Sequence, residues 1–353
     1  MLGVMDYIKP YKKVNNKALI LIVALWIVAI LTLLAIGLAH RISIELHLIR
    51  FSRDRLKACS ALEAAVQSAA YIIAQDINGY DSMNEIWANG IWDEFNESIF
   101  KDVKLKQAVF SIIHKVDDET GVLSLLYGLS DEQARLNINT ATANHLQTFF
   151  LEAEIENSRE ISASILDWID EDEITSFDGA EDDYYTGLDM PYHCKNAPLS
   201  SIEELLFIKG MDPDKFEKIK PFITVYGDGK ININTVSELL LSSLLISRGT
   251  LDSTARKLAG EVVDYRLGDD GEIGTVDDRI FEKFQDIVLA LSSQTSLGEF
   301  AKCADIIKFN SSFFRADIWA QSLNKVAQKR ALCILEKDRA AVKMPKVVKW
   351  QEY

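Results

Sequence analysis

Between Asp167 and Asp189 the chain carries ten carboxylates and no lysine or arginine. Gathered in one loop, so many like charges repel one another, and the segment resists folding unless a cation answers them. Hard divalent ions take about six to eight oxygen ligands, and calcium tolerates the irregular geometry of a loop. Asp170, Asp172, Glu181, Asp182 and Asp183 are therefore the ligand candidates, and Gly179 is expected to give the turn that joins the two acidic clusters. A second stretch, with Asp269, Asp270, Glu272, Asp277 and Asp278, brackets Gly271 and Gly274. It resembles part of an EF-hand loop without its spacing or final glutamate. One or two calcium ions are the expected cofactor, and a solvated acidic surface is the competing reading for each loop.

Other chemistry finds little to work with. His40, His47, His114, His145 and His193 are scattered, with no His-x-x-x-His pair, no Cys-x-x-Cys, no phosphate-binding Walker loop and no Gly-x-Ser-x-Gly. Two carboxylates can hydrolyse glycosides, but ten in one loop read as ligands rather than as an acid and a base. No enzyme is expected. Of the four cysteines, Cys303 and Cys333 fall near late strands and could pair, while Cys59 and Cys194 lie far apart.

Length and composition narrow the classes further. With 353 residues, 48% of them apolar and only six prolines, the chain is neither mainly disordered nor collagen-like. Its net charge of −15 argues against a surface built to neutralise phosphates. The charge is unevenly spread. Residues 1–57 hold nine Lys/Arg against three acids, so residues 58–353 carry −21.

The elements that must position the acidic loops begin with an apolar run. Ala18 to Ala39 reads ALILIVALWIVAILTLLAIGLA, without a charge, and as a helix it is long enough to span a bilayer. Basic residues flank it on both sides, so their count barely discriminates orientation. The short N-tail and the large acidic remainder favour a cytoplasmic N-terminus. Apolar residues then recur at three- and four-residue steps from Leu46 to Ile73. One continuous helix from about 18 to 77, with its second half laid on a globular head, is the build of a pilin-like subunit. Two helices broken near His40 and Arg41 are the alternative.

Duplication follows. Ala134-Arg135-Leu136-Asn137-Ile138-Asn139-Thr140 returns as Gly229-Lys230-Ile231-Asn232-Ile233-Asn234-Thr235. Each copy predicts a short strand with Leu136 and Ile138, or Ile231 and Ile233, on one face and the asparagines on the other. Thr140 and Thr235 are expected to cap helices over 141–150 and 236–246. Each copy continues through an apolar helix, an acidic loop and another helix, so the two read as halves of one helical domain. Late strands are expected at 304–309, 313–319, 330–335 and 347–350, with 124–129 as their partner across the insertion. The fold class is α+β: a long N-terminal helix on an antiparallel sheet, with a large duplicated α-helical insertion. The expected organisation is a leader at 1–17, a membrane helix at 18–39, an amphipathic helix and first part of the head at 40–130, the insertion at 131–300, and closing strands at 301–353.

Taken in order, ALILIVALW, DEQARLNINTA, ILDWIDEDE, GAEDDYY, PLSSIEELLFIKGMDPDKFEKIKPFITVYG, GKININTVSELLL and FFRADIWAQS resemble the type II secretion system protein K family over nearly the whole chain from Ala18 onward. The resemblance implies a minor pseudopilin with a bacterial inner-membrane anchor and a periplasmic head. It implies assembly with the type I and type J minor pseudopilins, and a capping place at the pseudopilus tip that supports export of folded proteins. It also implies calcium in the insertion, with Asp170, Asp172, Glu181 and Asp182 at the matching positions. The chain departs from the pattern at its leader, where Asn15-Asn16-Lys17-Ala18 lacks the glycine usual before a prepilin cut. With the cut after Asn16 the fifth mature residue is Leu21, where most pseudopilins carry glutamate. A subunit with none above it can omit that carboxylate. A membrane-anchored helix-hairpin-helix DNA receptor is the competitor, but neither repeat has a Gly-x-Gly turn after its first helix and the acidic ectodomain repels DNA. No nucleic acid is expected. A minor pilin of another filament system shares the anatomy.

Overall fold

The computed structural model describes residues 16–91, 97–117, 123–291 and 293–353. The expected leader and its cleavage lie outside them but for the last two residues of 1–17. Two compact units divide the chain at Leu56 and Lys57.

The first unit is helical. Its described residues belong to α1 (Asn16–Gln75), which has no break at His40 or Arg41. From Leu19 to Leu38 the large apolar side chains are exposed, Trp26 to 65%, a surface that water does not favour and lipid does. The helix is long and apolar enough to cross a membrane and fits a single-pass anchor. The one hydroxyl in the apolar run, on Thr32, donates to the Ala29 carbonyl at 2.8 Å, so it is not left unpaired.

In the second unit, small residues let the last turns of α1 lie close against a sheet. Ala61, Ala65 and Ala69, with Leu62, Val66 and Ile73, meet Phe110, Ile112, Phe314, Ala316, Ile318, Cys333 and Leu335. After α2 (Ile86–Asn89) come β1 (Val103–Lys104), β2 (Ala108–Ile112), β3 (His114–Asp117), β4 (Leu123–Leu126) and β5 (Ser130–Asp131). The sheet closes from the far end of the chain with β10 (Phe313–Ser322), β11 (Gln328–Glu336) and β12 (Lys346–Glu352), in antiparallel order β1-β2-β10-β11-β12. Along β10 burial alternates, so Phe314, Ala316, Ile318 and Ala320 face the helix while Arg315 grips Asp317 on the other face at 2.7 and 3.0 Å. The strand expected at 124–129 is corrected: β4 pairs with β3 in a separate hairpin, and the partners of β10 on this side of the insertion are β2 and the two-residue β5.

His114 on β3 lies in this region, 7% exposed, with Nδ1 3.2 Å from the Gly128 carbonyl and Nε2 buried without a partner. Burial pulls its pKa down to about 4 from an ordinary 6.5. The folded state therefore holds the neutral ring, and that contribution is complete above pH 6.5 and lost as pH falls through 4. A shift of this size amounts to about 3 kcal/mol. Urea melts of the full chain in detergent micelles should show this loss from pH 7 to pH 4. His114→Asn, which keeps the donor to Gly128 but does not titrate, should flatten that slope; an unchanged slope refutes the assignment.

Between β5 and β10 the chain forms a second core. It runs through β6 (Leu136–Asn137), α3 (Ala143–Glu152), α4 (Ser158–Ile169), α5 (Asp182–Thr186), α6 (Pro213–Ile219) and β7 (Ile223–Thr224). It continues through β8 (Ile231–Asn232), α7 (Glu238–Ser247), α8 (Asp252–Arg266) and β9 (Ile307–Lys308). Phe149, Phe150, Ile165, Leu240, Leu244, Leu258 and Phe281 are among its fully or almost fully buried residues. Parallel pairs β6–β7 and β8–β9 replace the longer strands expected. The late strand at 304–309 is accordingly corrected to two residues, pairing with β8 rather than joining the main sheet.

The duplicated asparagines explain why these strands are so short. Asn137 accepts from the Asn139 N–H at 3.0 Å, and Asn232 accepts from the Asn234 N–H at 3.1 Å, so each strand turns at once. The second asparagine of each copy then clamps a distant main chain. Asn139 donates to Leu199 O and accepts from Leu199 N (3.0 and 2.7 Å); Asn234 does the same with Phe281 (2.9 and 2.9 Å). Leu199 and Phe281 each follow an acidic loop. Thr140 sits inside its turn and donates back to Asn137 O, and Thr235 donates to Asp131, so neither caps its helix. Thr142 and Ser237 do, accepting from His145 N and Leu240 N. The asparagines are buried as well as the apolar residues, at Asn137, Asn232 and Asn234.

Where the chain enters and leaves the helical part, a polar knot ties the crossings. Buried Asp131 accepts from Ser311 Oγ and Thr235 Oγ1 at 2.6 Å, from Gln133 N at 2.7 Å and from Asn232 Nδ2 at 2.9 Å. Buried Asp81 beside it accepts from Ser311 N at 2.5 Å and pairs with Arg339. All four cysteines are free thiols, Cys303 in the helical core and Cys333 in the sheet core. The pairing considered for these two is thereby corrected.

Candidate metal centre

Helix α4 ends where its acids begin. Asp167, in the last turn, is wholly buried and accepts from the Ser176 N–H at 3.3 and 3.1 Å, folding the acidic loop back on the helix. Gly179 closes a turn, its N–H donating to Ser176 O at 2.9 Å, and also lets Asp167 approach, since a Cβ there would lie 2.0 Å from Asp167 Oδ2.

The loop brings together Asp170, Asp172 and Glu181, with one oxygen from each lying within 4.8 Å of the others. Among the described residues this is the one group of three such ligands. Asp172 is set by its own turn, accepting from the Ile174 N–H at 2.8 Å. Glu181 is only 3% exposed, yet neither of its carboxylate oxygens has a donor. Burial pushes its pKa up, and Asp167 and Asp170 add to the effect; burial, Asp172 and Asp167 push Asp170 up in the same way. At an effective dielectric near 20, two unit charges no further apart than this repel by roughly 3.5 kcal/mol or more before solvent screening. The three carboxylates are therefore a candidate cation site.

The remaining donors give the site its character. Asp182 turns away to His193 Nδ1 (3.0 Å) and the Cys194 N–H (2.9 Å), and these bonds hold its pKa down. Asp183 is exposed in the first turn of α5. Burial pushes the Cys194 thiol up to about 11, and Cys194 is not among the three clustered ligands. The available donors are oxygens, which suits a hard divalent ion. His193, Cys194 and Asp167 escape a reading of acidic spacing because their contribution is made through folding contacts.

The second loop is arranged differently. Asp277 accepts from the N–H groups of Asp269 (2.7 Å) and Asp270 (3.2 Å) and from Thr275 Oγ1 (2.8 Å), which lowers its pKa to about 2. Asp278 accepts from the Gly274 N–H at 2.8 Å, and burial raises it to about 6. Asp270 accepts from the Glu272 N–H at 2.8 Å, and Asp269 pairs with Arg279. These carboxylates close the loop on its own main chain, and among the described residues they bring no three ligands together.

Comparison with known proteins supplies an independent line. Residues 124–228 match the family model described as type II secretion system protein K. Over 103 residues the chain is 36% identical to the type II secretion system protein K of Pectobacterium carotovorum subsp. carotovorum, covering 28% of this chain and 31% of that protein. The protein K of Aeromonas hydrophila is 32% identical over 114 residues, 31% of this chain and 34% of its own length. The matched stretch thus spans about a third of each relative. A chain in the crystal structure of the GspK-GspI-GspJ complex from the enterotoxigenic Escherichia coli type 2 secretion system has the same fold. Its TM-score is 0.60 at 17% identity, covering 87% of this chain and 98% of that one.

Proposed function

We infer, for a chain that belongs to the type II secretion system protein K family, the work of a minor pseudopilin. The observation that carries this reading is the match of residues 124–228 to that family, on a chain that also carries an apolar helix fit to anchor it. The chain is held by one helix in the bacterial inner membrane, N-terminus cytoplasmic and head periplasmic. It assembles with the type I and type J minor pseudopilins, and its helical insertion, 131–300, caps the pseudopilus tip. It does no chemistry on a substrate. The apolar run from Leu19 to Leu38 has no carboxylate to satisfy, which suits a subunit with none above it.

Calcium belongs to the same reading. Asp170, Asp172 and Glu181 would hold one ion, and its charge would let the acidic loop stay folded while fully ionised. The donor-free oxygens of Glu181 support this fit, since a buried carboxylate without hydrogen bonds needs a cation partner. Assembly is tested by co-expressing the tagged full chain with type I and type J minor pseudopilins and purifying it from detergent extracts. A stoichiometric complex is expected. Recovery of the chain alone, with all three proteins present in the extract, contradicts it.

A further inference from the structure

Asp170 and Asp172 approach the proposed ion from one segment and Glu181 from another, and three carboxylates leave part of a hard cation's shell to be filled. Asn196 lies beside them on a third segment. Its Nδ2 donates to the Asp172 main-chain carbonyl at 3.2 Å, which commits the nitrogen end of the amide. The oxygen end, Oδ1, is buried and has no donor. A buried amide oxygen without a partner costs about 1–3 kcal/mol, and native proteins rarely leave one so. The backbone supports the arrangement at some strain, with Asn196 at φ 47°, a left-handed conformation that asparagine tolerates better than most residues.

We propose that Asn196 Oδ1 is a ligand of the cation held by Asp170, Asp172 and Glu181, closing the acidic loop from its exit side. This rests on the calcium reading above. It gives the loop a neutral oxygen donor that adds coordination without adding to the repulsion among the acids. It also links the ion to the repeat, because Leu199, three residues on, is the main chain clamped by Asn139.

The test is calcium titration calorimetry on the full chain in detergent micelles, stripped with chelator. The wild type should bind, and Asn196→Gly should bind at least tenfold more weakly; glycine suits the left-handed backbone, so the loss falls on the side chain. Asn196→Asp keeps an oxygen at the Oδ1 position but loses the donor to Asp172, and should bind at least as tightly as the wild type. Wild-type affinity in Asn196→Gly overturns the proposal and leaves the calcium reading standing. So does equal weakening in Asn196→Asp and Asn196→Gly, since Asn196 would then act only through its bond to Asp172. If Asn196→Gly fails to fold in chelator, Asn196→Asp decides against the wild type: binding at least as tight supports the proposal, and tenfold weaker binding overturns it. A wild type that binds no calcium overturns both readings.

Discussion

Replacing Glu181 by glutamine should reverse its effect on stability between calcium and chelator. In chelator the variant should melt above the wild type. The neutral amide removes a buried charge that no donor satisfies, and its NH2 can donate to the neighbouring carboxylate of Asp170. In calcium the order should invert, because the variant loses a ligand. An ion at about a hundred times its Kd stabilises the folded chain by about 3 kcal/mol, a rise of several degrees in Tm. Thermal melts of the full chain in micelles, with millimolar calcium or with chelator, read both halves. Identical wild-type curves in the two conditions, or a Glu181→Gln variant that still gains stability from calcium, would sink the assignment.

The pH dependence has a definite sign. Asp170 and Glu181 have raised pKa values in the ion-free fold. Without calcium their contribution is present at low pH and is lost as pH rises through the ordinary carboxylate range to those raised values. With calcium, binding must release these protons, so affinity falls as pH falls through the same window.

The second large effect is expected at the polar knot. Asp131 is buried and takes four hydrogen bonds, from Ser311, Thr235, Asn232 and Gln133. Asp131→Ala strands these donors and removes the tie between the two chain crossings, a loss on the order of 3–5 kcal/mol. Asp131→Asn keeps the shape and one acceptor oxygen, and the Ser311 and Thr235 hydroxyls can turn to accept, so it should cost about half as much. Urea unfolding in micelles checks both. A loss below about 1 kcal/mol for the alanine variant would show that the crossings hold together without the knot.

How far the sequence revealed this depends on the length of the pattern each element leaves. The apolar run before Ala39 and the alternation in FFRADIWAQS repeat often enough to define a membrane-fit helix and the central strand β10. Two-residue strands leave no period to read. Residues 136–137 and 231–232 are extended only because the asparagine side chains turn the chain and fasten it to Leu199 and Phe281. The helix starts lie two residues later than expected: Thr140 and Thr235 have the chemistry of caps, but their hydroxyls are already bound, Thr140's within its turn and Thr235's to Asp131. The strand at 124–129 has the right alternation yet pairs locally with β3, a choice made by tertiary contacts rather than propensity.

The acidic loops show the same limit from the other side. Composition marked both as ion candidates, since charge density is visible in sequence. What separates them is the direction in which the carboxylates point. Asp277 and Asp278 turn onto the loop's own N–H groups, whereas Glu181 is buried with both oxygens free of donors. Asn196 carries no charge and lies 24 residues from its contact at Asp172, so only the fold brings it into view.

The central claim, a minor pseudopilin serving export, is tested most directly by the protein content of the culture medium after the gene is deleted. Loss of particular folded exoproteins, restored by the intact chain expressed in trans, is the predicted result. An exoproteome unchanged from the parent strain, with the secretion system otherwise expressed, would contradict it.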